Sequence, residues 1–453
     1  MATEESVASE SSMKKVAITS LAGTSIEWYD FFIFGTAAAL VFPTAFFPND
    51  MPEFVGLIAS FSTFAVGFFA RPVGGIFFGH FGDRVGRKAA LVTALMLMGV
   101  ATMLIGCLPT YALIGPAAPL ILILLRFAQG LAVGGQWGGA MLLVTENAPR
   151  DRRGFYGAFA QAGAPVGIIL ANLAFLAVSA ACTDEQFMSW GWRIPFLSSI
   201  ILIGLSLYVQ LTLEDTPAFR ELQRIVEDKV KVAAETEADL PIPAQSPVIE
   251  AIRLYPKQIL LAAGAFLAIQ VTFYILIAFL VAYGSSSVGL GLSRDTMLQA
   301  VLISSCFQIP TLFIASAYSD RHGRRGIYML GAVLTGAWAF AMFPLIDTSN
   351  FLLIVLAMSG GHIFVAMMYG PQAAFLAELF STHVRYSGAS LGYQLGAILG
   401  GAMAPIIATF LWSEFGTIYI AIYIALASVL TLTSVLLLTE TKGTNLDDTS
   451  TPV

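Results

Sequence analysis

The sequence predicts an all-α membrane protein of twelve transmembrane helices arranged as two pseudo-symmetric six-helix bundles. Three observations lead there. Of 453 residues, 57% are hydrophobic and only 11% charged, against about 25% charged in a soluble globular protein. The apolar residues gather into twelve runs near or above the roughly 20 residues that cross a bilayer. Two pairs of charged loops also recur at nearly one spacing, which marks a duplicated unit.

Residues 1–16 open with the acidic, Ser-rich MATEESVASESSM and read as a disordered cytoplasmic tail. The apolar run after Lys14 and Lys15 is too long for a cleaved signal peptide. The N-terminal bundle, 17–213, holds predicted segments 17–43, 54–79, 89–110, 118–146, 155–181 and 193–213. Residues 214–256 form a charged linker closed by prolines, whose first part could be an amphipathic helix on the cytoplasmic face. The C-terminal bundle, 257–439, holds segments 257–283, 295–318, 327–346, 351–378, 388–411 and 417–439. Residues 440–453 are a short cytoplasmic tail.

The repeat sits in the loops. GDRVGRK at 82–88 follows the second segment and SDRHGRR at 319–325 follows the eighth. ENAPRDRRG follows the fourth and ELFSTHVRYSG the tenth, opening on Glu146 and Glu378. With the N-terminus inside, nearly all Lys and Arg fall in cytoplasmic segments, the side that retains them. Arg193 and Arg294 fall outside, and Arg71 and Arg126 lie within segments. Cys107, Cys182 and Cys306 are far apart, with no metal-ligand spacing, and His80, His322, His362 and His383 supply none either.

The first segment contains IEWYDFFIFG, residues 26–35, with Glu27 and Asp30 near the bilayer midplane. An intramembrane charge costs roughly 2.5–3.5 kcal/mol on the lenient scale, so such residues are functional candidates. Three residues apart, the two carboxyls share one side of a helix. Burial favours a neutral carboxyl and a nearby Arg an ionised one. A carboxyl whose Arg contact changes during a cycle would therefore bind and release a proton. Asp30, with Glu27 second and Arg71 as partner, is the proton-coupling candidate; the plainer alternative is a permanent Asp–Arg pair that holds helices together.

Four stretches, IEWYDFFIFGTAAALVF, FARPVGGIFFGHFGDRVGRK, RFAQGLAVGGQWGGA and TDEQFMSWGWRIPFL, resemble the metabolite:proton symporter family of the major facilitator superfamily, most closely its shikimate-transporter branch. The resemblance covers most of the first half and, in the second, mainly the loops. It implies the major facilitator fold and proton-coupled symport of a small organic acid into the cell by alternating access. One departure is Gln136, where the family commonly has Glu, so a carboxylate that could carry a proton is missing there.

Within that resemblance, Arg126 opens a helix-4 motif associated with coupling and substrate handling. Its guanidinium fork suits a carboxylate, although it could equally neutralise the helix-1 acids. Gln129, Gln136, Trp137, Tyr29, Tyr369 and Gln372 complete the candidate substrate site, with Gln270, Tyr274 and Gln308 as further polar groups of the second half. The family pattern implies a cytoplasmic gate of Asp83, Arg84, Arg87 and Glu146, mirrored by Asp320, Arg321, Arg324, Glu378 and Arg385. A nucleotide reading of GDRVGRK lacks the spacing and context of a phosphate loop. His362 is read as a packed residue rather than a proton relay. The glycines after Arg126 read as close helix packing, and GAPVG at 163–167 resembles a drug-antiporter motif but equally a kink.

The expected partners are a small-molecule organic acid and the lipid bilayer, with a monomer expected, no nucleic acid, and no cofactor beyond the coupling proton. Alternatives are symport of zwitterionic osmolytes and transport without proton coupling. An enzyme is disfavoured because no nucleophile–base pair or metal cluster is present.

Overall fold

The computed structural model describes residues 10–85, 87–134, 141, 144–145, 148–214, 247–380 and 385–443. These fold into twelve long helices. The first half comprises α1 (Glu10–Leu40), α2 (Glu53–Val85), α3 (Arg87–Cys107), α4 (Ala117–Gly134), α5 (Arg153–Ala181) and α6 (Ile194–Glu214). The second half comprises α7 (Pro256–Ser285), α8 (Arg294–His322), α9 (Arg324–Asp347), α10 (Phe351–Glu378), α11 (Arg385–Gly396 continuing to Ala404–Phe415) and α12 (Thr417–Leu437). No strand occurs among the described residues, and nine of the helices there are long and apolar enough to cross a membrane. Helices suit that setting because each satisfies its own backbone hydrogen bonds.

Helix ends shift from expectation by a few residues, and two differences bear on packing. The first helix starts at Glu10 rather than 17, because Met13, Val16 and Ala17 pack against Val144, Ala148 and Tyr156. In the linker, a helix forms at its end, Pro247–Leu254, and packs against the start of α11. The stretch expected to be amphipathic lies outside the described residues.

The halves meet through α5 on α8 and α10, α2 on α11, and α1 on α7. Duplication would map α2 onto α8 and α5 onto α11. It therefore exchanges the α2/α11 and α5/α8 contacts, as a pseudo-twofold axis would.

Glycine permits the closest crossings. A Cβ on Gly130 or Gly134 of α4 would strike the carbonyl oxygens of Gly67 and Arg71 on α2. Gly163 and Gly167 press α5 against Thr24 and Trp28 of α1, so GAPVG is a packing stretch in this fold. Two π-helical turns, Ile275–Phe279 in α7 and Ala397–Ala402 in α11, interrupt helices beside the centre, as such turns often do at functional sites. Gly400 and Gly401 there rest on Gln270 and Tyr274.

Candidate functional site: a central cavity closed at both ends

At the centre, Asp30 and Phe31 are neighbours on α1, so helical geometry turns them about 100° apart. Phe31 faces Phe64 and Phe68 of α2. Asp30, buried, faces α3 and α6, where Thr102 and Ser199 interact with it. It forms no ion pair with Arg71 or Arg126. The permanent Asp30–Arg71 pair considered from sequence is absent here because Phe31 fills the space on the arginine side.

Thr102 links Asp30 to Arg126. Arg126 Nη1 donates to Gln129 Oε1 at 3.1 Å, and Gln129 Nε2 donates to Thr102 Oγ1 at 2.7 Å. That hydroxyl lies 2.8 Å from the Met98 carbonyl and 3.4 Å from Asp30 Oδ2. One hydroxyl proton serves one acceptor well, and the carbonyl is closer. A protonated Asp30 fits the Thr102 contact, donating to Thr102 while Thr102 donates to Met98, although Asp30 Oδ1 stays without a partner. An ionised Asp30 would compete with the carbonyl for the single proton.

Both central arginines are buried and stacked on Phe31, Arg71 at 4.4 Å and Arg126 at 4.3 Å from its ring centre. Arg71 also interacts with the hydroxyls of Tyr274 and Tyr393. Arg71 Nε and Nη2 and Arg126 Nη2 are buried without hydrogen-bond partners. A buried guanidinium without a carboxylate is costly, and these N–H groups are donors that the fold leaves without acceptors.

Beside them lies a cavity between the halves, lined by Trp28, Gln270, Phe273, Tyr274, Gln308, Tyr369 and Tyr393 among others. Of the predicted substrate residues, Tyr369 is at this wall. Gln372, one turn on, is buried with its Oε1 unpartnered. Arg126 and Gln129 stand behind it in the first half. Tyr29 is elsewhere, its hydroxyl donating to the Pro195 carbonyl at 3.1 Å and so tying α1 to α6. Glu27 is half-buried in a second recess beside Gln161 and Met141. Gln136, Trp137, Glu146 and the side chains of Asp83, Arg84 and Arg87 lie outside the described residues.

The end carrying both termini is closed by a buried ion cluster. Glu378 of α10 accepts from Arg324 of α9 and, across the halves, from Arg153 of α5, each at 3.2 Å. Asp320 pairs with Arg324 and accepts the Gly154 and Phe155 backbone N–H groups at 2.8 Å. Arg385 is buried nearby and donates to the Phe380 carbonyl. Arg321 departs from expectation: its side chain is exposed, and it takes part through its carbonyl, which accepts from Lys442.

Sequence reading missed Arg153 and the C-terminal tail. Gly323, at φ 101°, starts α9 and leaves its first N–H groups open. Glu440 fills that position, accepting from Arg324 and Arg325 at 2.8 and 3.0 Å, while Thr441 donates to Glu378. Burial would raise the Glu440 carboxyl, but four backbone N–H groups, of Arg324, Arg325, Lys442 and Thr441, hold it below its ordinary value. This contact therefore persists at neutral pH and loosens as pH falls through that lowered value.

The opposite end is closed as well. Glu53 of α2 accepts from Ser286 and Ser287 beyond α7. Arg294 of α8 donates to Ser179 of α5 and Asp184, and Ser179 donates to Asp295. Glu53→Ala is expected to loosen this end by leaving both serines without their acceptor, worth about 1–2 kcal/mol. A thiol reagent should then modify a cysteine placed at buried Ala282 several-fold faster than in the parent, and an unchanged rate would remove Glu53 from the closure. Arg193, the other basic residue expected outside, caps α3 through the Gly106 and Leu108 carbonyls.

Comparison with known proteins agrees with this architecture. A family model for sugar (and other) transporters matches residues 15–451. The chain is 42% identical to the inner membrane metabolite transport protein YhjE of Escherichia coli K12, over 96% of each. It is 38% identical to the shikimate transporter of the same organism, over 97% of each. Among solved structures it is similar to the proton:xylose symporter XylE, with a TM-score of 0.73 and 17% identity, covering 96% of this chain and 98% of that one.

Proposed function

The chain belongs to the sugar (and other) transporter family of the major facilitator superfamily, and on that premise we propose that it imports a small organic acid together with a proton by alternating access. It is a membrane metabolite transporter rather than an enzyme. The observation that carries the finer reading is the pair of buried guanidiniums, Arg71 and Arg126, with unpartnered N–H groups beside the cavity. Two fixed cations disfavour a neutral or cationic cargo and favour an anion.

Charge links anion to proton. With Asp30 neutral and a carboxylate bound, Arg71, Arg126 and the cargo sum to one positive charge. With the site empty and Asp30 ionised, the sum is the same. Cargo without a proton, or a proton without cargo, changes it by one unit inside a low-dielectric centre. The fully loaded and fully empty carriers are therefore the forms best able to change sides. Asp30 holds the proton, Thr102 and Gln129 couple it to Arg126, and Arg71 with Arg126 receives the carboxylate.

In this reading the termini face the cytoplasm, and the Glu378 and Glu53 closures are the inner and outer gates. With both shut, the arrangement corresponds to an occluded carrier.

Arg126→Gln tests the anion site. The variant is expected to lose at least about 100-fold in affinity for any transported acid, since a buried charge-assisted partner is removed. Unchanged acid affinity, measured by titration calorimetry, would move the carboxylate elsewhere.

A further inference from the structure

The cavity wall contains one amide that the fold itself leaves unused. Gln308 of α8 lines the cavity and is fully buried, yet neither its Oε1 nor its Nε2 has a hydrogen-bond partner. Among the described residues no other Asn or Gln has both amide ends buried and unpartnered. Other central glutamines are engaged: Gln129 by Arg126 and Thr102, Gln161 by the Tyr369 carbonyl, and Gln270 by Tyr393.

A second orphan lies on α10, which packs against α8. His362 of α10 is edge-on to Phe273, a cavity residue, and one turn from Val365, another. Its Nδ1 is 3.1 Å from the Met358 carbonyl, which assigns the ring proton to Nδ1 and leaves Nε2 a buried, unpartnered acceptor.

An amide places a donor and an acceptor side by side, and an unprotonated imidazole nitrogen adds an acceptor. The group that answers both is a hydroxyl, or two adjacent hydroxyls. A carboxylate only accepts, and a methyl or quaternary ammonium group does neither. Tyr274 and Tyr393 line the same cavity as Gln308, and both interact with Arg71. One ligand can therefore direct a carboxylate towards Arg71 and hydroxyls towards Gln308, with aromatic faces over the rest.

Resting on the anion reading above, we propose that Gln308 is a specificity-determining residue that selects hydroxylated carboxylates over carboxylates lacking hydroxyls. Without a hydroxyl, a bound ligand seals the amide from water and leaves it unmatched, a penalty that discriminates strongly.

The test uses the full-length protein in lipid nanodiscs and titration calorimetry. The probes are hydroxylated carboxylates (shikimate, quinate, gluconate), the hydroxyl-free cyclohex-1-ene-1-carboxylate, and D-xylose, which has hydroxyls but no carboxylate. The native protein is expected to bind at least one hydroxylated acid about tenfold or more tightly than the hydroxyl-free acid. In Gln308→Leu that ratio should fall to about one through weaker binding of the hydroxylated acid, while Gln308→Asn, which keeps the amide, retains part of it. Equal binding of both acid types by the native protein would overturn the proposal and leave the anion reading standing. A preference that survives in Gln308→Leu, or an equal loss for both acid types, would also overturn it. Gln308-dependent binding of xylose with no acid bound would support hydroxyl recognition at Gln308 and sink the anion reading instead.

Discussion

Asp30→Asn is expected to abolish proton-driven accumulation of the acid while leaving exchange of acid for acid. Asparagine keeps the shape of a neutral carboxyl and can hydrogen-bond Thr102, whose own proton remains on the Met98 carbonyl at 2.8 Å. The loaded carrier then still reorients. The empty carrier cannot ionise this position, so it returns with the uncompensated charge of both arginines. For one proton per acid, a gradient of two pH units supports roughly a hundredfold accumulation in the native protein, because each unit is about 1.36 kcal/mol. In the variant the ratio should fall to about one. Vesicles measured with and without acid inside distinguish the outcomes. Retained accumulation would transfer the coupling role to Glu27, and loss of both net uptake and exchange would make Asp30 a structural residue.

Glu378→Gln is expected to open the termini end. Glu378 is buried and answers Arg153 and Arg324, which lie on different halves. Removing its charge leaves Arg153 and Arg324 facing a neutral amide, with Asp320 still paired to Arg324. Breaking one side of a buried pair costs about 3–5 kcal/mol, and separation of the halves is the route by which water can reach the arginines. That energy shifts a two-state equilibrium by a hundredfold or more. In a background where Cys107, Cys182 and Cys306 are replaced by serine, a cysteine at buried Ala158 should become accessible to a thiol reagent from this end, at least about tenfold faster than in the parent. Unchanged labelling with lowered thermal stability would mean the cluster holds the fold together without gating it.

The fold was legible because its main signal is physical and repetitive. Twelve apolar runs gave twelve helices, with boundaries displaced by a few residues wherever local packing extended them, as Met13 and Val16 do at the start of α1. Asp30 was legible for the same reason that it is costly, a carboxyl in an apolar run. Its actual partners were not. Which face of α1 meets α3 rather than α2 depends on helix rotation and packing, and Thr102 and Ser199 are hydroxyls among others in apolar helices, indistinguishable in sequence from packing residues.

The ion cluster divides similarly. Asp320, Arg324 and Glu378 stood out through the repeated loops. Arg153 was hidden in RDRR, where a basic run reads as topology, and only the phase of α5 turns this one inwards while Arg150 and Arg152 do not enter the cluster. Glu440 follows the last helix with no spacing that ties it to α9. The available signal was Gly323, whose positive φ opens α9 and leaves backbone donors needing an anion.

The measurement that tests the account most directly is proton flux in lightly buffered proteoliposomes when an organic acid is added outside. Coupled import predicts alkalinisation of the outer medium with one proton per acid anion, abolished in Asp30→Asn and needing no compensating ion movement beyond the pair itself. Entry of labelled acid with no change in external pH would contradict it, leaving Asp30 a buried structural carboxyl and the two arginines an anion site without a proton partner.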